Sequence, residues 1–151
     1  MTIIDTERLR LRPWNRSDAP ALYELAKEPR IGMACGWRPY TRIDDAYDGL
    51  STVLAAPESY AVTLRESNEL VGAIALRMKA ADQRNVADLG YWTGRPYWGN
   101  GYATEAGRAI VDRAAHLGYA TLTLSYFEGN EASRRVAHKL GFTWQGREEG
   151  V

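Results

Sequence analysis

The sequence predicts a mixed α/β sheet domain, and three observations carry that expectation. Apolar residues recur with period two in some runs, the mark of a half-buried strand, and at helical spacing in others, and the two kinds intermingle along the chain. Glycine, proline and asparagine punctuate the boundaries between them. A chain of 151 residues with 45% hydrophobic content suffices for one core, and nothing argues for a second, so residues 1–151 are expected to form a single domain.

The first strand is expected at Glu7–Pro13, where Leu9 and Leu11 alternate with Arg8, Arg10 and Arg12. Ser17 or Asp18 can cap a helix that holds Pro20 in its early turn, carries Leu22, Leu25 and Ala26 on one face, and stops at Pro29. Residues 30–40, rich in Gly, Trp and Pro, read as an irregular connection. Thr41 can cap a second helix that turns Ala46, Leu50, Val53 and Leu54 inward, with Gly49 as its weak point. The apolar, β-branched-containing runs Tyr60–Arg65 and Leu70–Met78 flank a polar stretch, Glu66–Glu69, and predict a hairpin. Ala87–Thr93 adds a strand. Thr104–Leu117 is the clearest helix, with Ala106, Ile110, Ala114 and Leu117 in one stripe and Gly118 closing it. Ala120–Tyr126 is a strand by the alternation of Leu122 and Leu124. Asn130 then caps a short helix with Val136, Ala137 and Leu140 inward, Gly141 ends it, and Phe142–Trp144 starts another strand.

Composition narrows the chemistry. Lys plus Arg and Asp plus Glu number 19 each, so no net field draws the chain to nucleic acid or to an anionic membrane, and an anionic ligand must be held locally. Cys35 stands alone, which precludes an internal disulfide, and with only two histidines, His116 and His138, no metal cluster is expected. A reducing, cytoplasmic setting fits this usage. The opening Met-Thr-Ile-Ile-Asp lacks the pattern of a leader peptide, and no apolar run approaches the length of a membrane span.

The informative segment is Leu89-Gly-Tyr-Trp-Thr-Gly-Arg-Pro-Tyr-Trp-Gly-Asn-Gly-Tyr-Ala-Thr-Glu-Ala106, in which a strand passes through a glycine turn into a helix. Gly99 and Gly101 permit close backbone approach, so the N–H groups of residues 99–104 and the helix dipole can converge on a phosphate without a cationic side chain. The alternative is that the two glycines only shape a tight turn. The segment lacks the Gly-Lys-Ser/Thr ending of a nucleoside-triphosphate loop and the three-glycine fingerprint of a dinucleotide site.

Three ordered stretches resemble the GNAT superfamily of acyl-CoA N-acyltransferases, and within it the RimJ/RimL-like branch that includes ribosomal-protein N-terminal acetyltransferases. They are Thr6-Glu-Arg-Leu-Arg-Leu-Arg12, Leu89 to Ala106, and Asn130-Glu-Ala-Ser-Arg-Arg-Val-Ala-His-Lys-Leu-Gly-Phe142. The resemblance implies a GNAT-type mixed, largely antiparallel sheet flanked by about four helices, with acetyl-CoA as cosubstrate and no metal. It places the CoA pyrophosphate on Trp98, Gly99, Asn100, Gly101, Tyr102 and Ala103, with Pro96 standing where relatives carry a polar residue. It has Tyr91, Trp92 and Thr93 line a slot in which pantetheine amides pair like an added strand. Asn130 matches an asparagine that approaches the CoA arm, or is simply a helix cap. Ser133 matches a serine placed to protonate the departing thiolate, or is an exposed first-turn residue, and Ser133 and Tyr91 are the catalytic candidates. Arg134 and Lys139 read as solvated.

The reaction implied is direct attack of a neutral primary amine, on a protein N-terminus or a small molecule, within a ternary complex. Glu105, Glu148, Glu149 or a relayed water are open as the base, and Cys35 reads as an apolar filler. The resemblance puts the acceptor near residues 31–42, where Trp37, Arg38 and Tyr40 either grip it or pack on the sheet, whereas Trp14, Trp92 and Trp144 read as core rather than contact. Relatives continue past Phe142 with a further strand whose counterpart is missing before Val151, which raises the expectation of a homodimer that covers the open edge. A non-catalytic acyl-CoA-binding or assembly subunit is the alternative from another class.

Overall fold

The computed structural model describes residues 2–29, 39–78, 85–124 and 131–142. Its strands are β1 (Ile4–Asp5), β2 (Leu9–Pro13), β3 (Ser59–Leu64), β4 (Leu70–Met78), β5 (Val86–Thr93) and β6 (Thr121–Leu124). Its helices are α1 (Ala19–Ala26), α2 (Ile43–Ser51), α3 (Tyr102–His116) and α4 (Glu131–Lys139). The six strands lie in one sheet in chain order. Every neighbouring pair is antiparallel except β5 and β6, which run parallel because α3 carries the chain back across the sheet between them. Among the described residues this is the expected mixed, largely antiparallel sheet, flanked by four helices where about four were expected.

Strand alternation sends side chains to two packed faces. On one, Ala106, Ile110 and Ala114 of α3 meet Leu9, Leu11, Val62, Val71, Ile74 and Leu89. On the other, Leu22, Leu25 and Ala26 of α1 and Ala46 of α2 meet Ala61, Leu70, Ala73 and Trp92, with Trp14 partly buried against them. Gly107 lets α4 approach α3, since a Cβ there would stand 2.6 Å from the Leu140 side chain.

Several boundaries differ from the sequence expectation for local physical reasons. Glu7 and Arg8 leave the first strand: Thr6 and Arg8 bond Glu105 instead, and the preceding Ile4–Asp5 folds back to pair with Leu11 and Arg10. The Asp18 carboxylate does not cap α1, because Arg12 donates to both its oxygens at 2.8 and 2.9 Å and the Asn15 N–H donates at 2.8 Å. At α2 the cap position belongs to Arg42 rather than Thr41, and Asp45 in the first turn accepts from the N–H groups of both. The chain turns away at Thr52, which leaves Val53 54% exposed rather than inward. Gly49 admits Tyr40, whose hydroxyl would lie 2.6 Å from a Cβ at that position. Helix α3 begins at Tyr102, two residues before Thr104, because Gly101 at φ 78° serves as its cap; its last stripe residue, Leu117, is 42% exposed. Asn130, Trp144 and the remainder of the strand expected at Phe142–Trp144 lie outside the described residues, as do Cys35, Trp37 and Arg38 in the connection.

Ile110 has no exposed surface and sits at the centre of the α3 contact. Ile110→Ala is expected to cost about 2–5 kcal/mol in urea unfolding, and Val53→Ala less than about 0.5 kcal/mol.

Candidate active site

The site is built where β5 ends and α3 begins. The Gly94 N–H donates to Val71 O at 2.7 Å, which makes Gly72↔Thr93 a non-hydrogen-bonded pair of the β4–β5 ladder. By alternation Ile74↔Tyr91 is another, so the peptide groups of Tyr91 and Thr93 point away from β4, towards the side on which β6 runs. Among the described residues the β5–β6 ladder covers only Val86 to Leu89. Trp98 Nε1 donates to Thr93 O at 2.7 Å, and Arg95 stacks 4.7 Å from the Trp98 ring centroid. A small cavity, with room for about one water, is lined by Tyr91, Trp92 and Thr93 together with Tyr102 and Ala103. Trp92 contributes backbone to this face, because its indole is buried against α1 and α2 on the other.

After β5 a short turn, Arg95–Tyr97, leads to the two glycines, Gly99 at φ 83° and Gly101 at φ 78°. Both lie in the left-handed region that favours glycine. A Cβ at Gly99 would meet nothing within 4 Å, so the outer side of the turn is open. Asn100 Nδ2 donates to Tyr97 O at 2.9 Å and to Trp98 O at 3.4 Å, which draws the turn closed. The first bond of α3 runs from Glu105 N–H to Gly101 O at 3.1 Å, so the N–H groups of Tyr102, Ala103 and Thr104 have no acceptor within the helix. Open space, left-handed glycines and helix-entrance donors fit a pyrophosphate, and the Pro96 substitution leaves those donors in place.

Ser133 on α4 comes to Tyr91 on β5. The Tyr91 hydroxyl donates to Ser133 Oγ at 2.9 Å, which joins the two catalytic candidates although they are 42 residues apart in sequence. Arg134 and Lys139 are exposed on the same helix. Tyr40 is half-buried in the cluster between α1 and α2, and burial, then the nearby Asp45 charge, raises its phenol above the ordinary value. It packs rather than projects.

The titratable groups around the turn are committed to structure. Tyr97 donates to Glu69 Oε2 at 2.5 Å, and burial together with that carboxylate pushes its phenol up to about 12. Glu105 accepts from the Thr6 hydroxyl, from Arg8 N–H at 2.8 Å and from Arg8 Nε at 2.6 Å. Burial acts to raise the Glu105 carboxyl, but these donors outweigh it and hold the group below its ordinary 4.5. A carboxylate so occupied is a clamp, not a general base. Glu148 and Glu149 lie outside the described residues. Arg8, which the sequence displays only as one of three alternating arginines, is the residue that sequence reasoning missed here. Among the described residues no cluster of three or more His, Cys, Asp or Glu is placed to hold a metal, and no helix is long and apolar enough to cross a membrane.

This frame is that of an acetyltransferase. The acetyltransferase (GNAT) domain family matches residues 8–143, and the chain belongs to it. It is therefore an acetyl-CoA-dependent acyltransferase. Among similar sequences, the uncharacterized N-acetyltransferase p20 of Bacillus licheniformis is 27% identical over 157 aligned positions, covering 97% of this chain and 85% of the relative. Among solved structures, a GNAT-family acetyltransferase from Bacillus anthracis superposes with a TM-score of 0.86 at 22% identity, covering 96% of this chain and 86% of that one. RimL, a ribosomal L7/L12 alpha-N-protein acetyltransferase solved in complex with coenzyme A, superposes at 0.82 with 22% identity over 96% of this chain and 86% of its own.

Because the folded state holds Glu105 below its ordinary value, the stability it contributes is complete above about pH 4.5 and is lost as pH falls through the lowered value. Thermal midpoints of the natural chain and Glu105→Gln, followed from about pH 7 to about pH 3, should differ most at the upper end and converge at the lower.

Proposed function

We propose that the chain transfers an acetyl group from acetyl-CoA to a primary amine, on a protein amino terminus or a small molecule, by direct attack in a ternary complex. The observation that carries this reading is the open glycine turn at the entrance of α3, set beside the β5 edge and the Tyr91–Ser133 pair. Trp98 to Ala103 take the pyrophosphate on backbone donors, while Tyr91 and Thr93, on either side of Trp92, offer a strand edge to the pantetheine amides. Asn130, which lies outside the described residues, is assigned to the CoA arm by the family resemblance alone.

Bound acetyl-CoA supplies the thioester that the amine attacks. With Tyr91 donating to it, Ser133 Oγ accepts, and its own proton is disposed to pass to the departing sulfur. Tyr91 follows as the next donor in that relay. The amine must arrive neutral, which is easier for an α-amino group, near pH 8 in its reference state, than for a lysine near 10.4. RimL acts on the α-amino group of a ribosomal protein, which favours an acceptor of the first kind.

Calorimetric titration tests the donor half: acetyl-CoA should bind in the micromolar range with ATP silent, and Gly101→Glu should abolish binding by putting bulk and negative charge in the turn. No heat and no thermal shift with acetyl-CoA would sink the reading. With an acceptor found by screening peptide and small amines for CoA release, Ser133→Ala and Tyr91→Phe should each lower kcat by about 10- to 100-fold while changing the acetyl-CoA Kd less than about threefold.

A further inference from the structure

Arg8 grips the glycine turn on both sides of Gly101. Its Nη1 donates to the Asn100 carbonyl at 2.9 Å, on the near side, while its Nε and backbone N–H hold Glu105 in the first turn of α3, on the far side. The guanidinium carbon lies 4.6 Å from the Tyr102 ring centroid, and a Cβ on Gly101 would stand 3.6 Å from Nη2. One side chain thus spans the junction at which a pyrophosphate is to be received.

Peptide geometry gives that grip a directional consequence. In a planar trans peptide the C=O and N–H point in opposite directions. Holding Asn100 O towards Arg8 therefore aims the Gly101 N–H away from Arg8, out of the turn. The glycine that permits φ 78° also accepts the opposite sign, so little steric resistance stops the Asn100–Gly101 peptide from rotating in place. Rotated, it would turn a carbonyl, the negative end of the dipole, to the anion. Arg8 also neutralises Glu105, which would otherwise set a carboxylate beside the same anion.

We propose that Arg8 is a positioning residue for the donor site: it locks the Asn100–Gly101 peptide with its N–H outward and screens Glu105, so that the turn can accept the pyrophosphate. The assignment rests on the donor-site reading above. It requires the fork of a guanidinium, because a lysine supplies charge but does not hold Glu105 and Asn100 O in one fixed geometry.

The test measures Kd for acetyl-CoA by calorimetry, and for acetyl-pantetheine, which lacks the pyrophosphate, by ligand-observed NMR. The natural chain, Arg8→Met, Arg8→Lys and the control Arg10→Met are compared, Arg10 being paired with the exposed Asp5 on the same strand. Arg8→Met and Arg8→Lys should weaken acetyl-CoA binding about tenfold or more, with acetyl-pantetheine and the control within about twofold of the natural chain. Arg8→Lys retains a cation beside Tyr102 and Glu105 and keeps the test readable if Arg8→Met does not fold. Failure of the natural chain to bind acetyl-CoA would overturn the donor-site reading itself. Natural-chain binding with Arg8→Lys unchanged, or an equal loss of both ligands in folded Arg8→Lys, would overturn the Arg8 assignment alone.

Discussion

A parallel neighbour is out of reach of a tight turn, and much of this structure follows from meeting that constraint once. Five of the six strands are joined as antiparallel neighbours, but β6 must enter beside β5 in the same direction, with Val86 opposite Thr121 and Leu89 opposite Leu124. The chain has to travel back along the sheet to achieve this, and α3 is the return path. Its amino terminus consequently stands at the carboxyl end of β5, where the strand's peptide groups and the helix's first N–H groups face the same space. Thr123 Oγ1, donating to Asp88 Oδ1 at 2.6 Å, ties the parallel pair together at its covered end. The Tyr91–Ser133 pair, proposed above as catalytic, extends this geometry, because α4 returns to β5 and places Ser133 on Tyr91.

Net charge has no part in this arrangement. With equal numbers of acidic and basic residues, attraction for an anionic ligand has to come from oriented dipoles and a few placed charges. Arg8, a cation at the glycine turn, is itself half committed to Glu105, so it shapes the turn more than it raises the local potential. An anion site of the kind proposed here works through local dipoles and does not need a surface sticky to every polyanion.

The fold and the glycine turn were legible in the sequence because both are local. Apolar, β-branched-containing runs located β3 and β4, and β5 fell within a residue of its expected bounds, while Gly99-Asn-Gly101 declared its turn by composition alone. What could not be read was set at a distance. Nothing near Ile4 signals that it will pair with Leu11, and nothing near Asp18 signals that Arg12 will occupy its carboxylate and take it from the helix cap. Trp92 fell in the expected segment, yet which face its indole would take depended on α1 and α2. Arg8 was one of three alternating arginines until the fold gave each a different partner: Glu105, Asp5 and Asp18.

That long-range contact has a consequence for how the protein is made. Arg8 and Glu105 are 97 residues apart, and the first strand leaves its ladder in order to make the contact. A ribosome adding about 5–20 residues per second emits the arginine roughly 5–20 s before its carboxylate exists. During that interval β2 can already pair with β3, and Arg65 can already hold the Thr6 and Arg8 carbonyls, but the arginine's contact with the helix entrance has yet to form. The turn's scaffold thus joins two parts of the chain made far apart in time, the arginine waiting in a partly folded sheet for the helix that carries its partner.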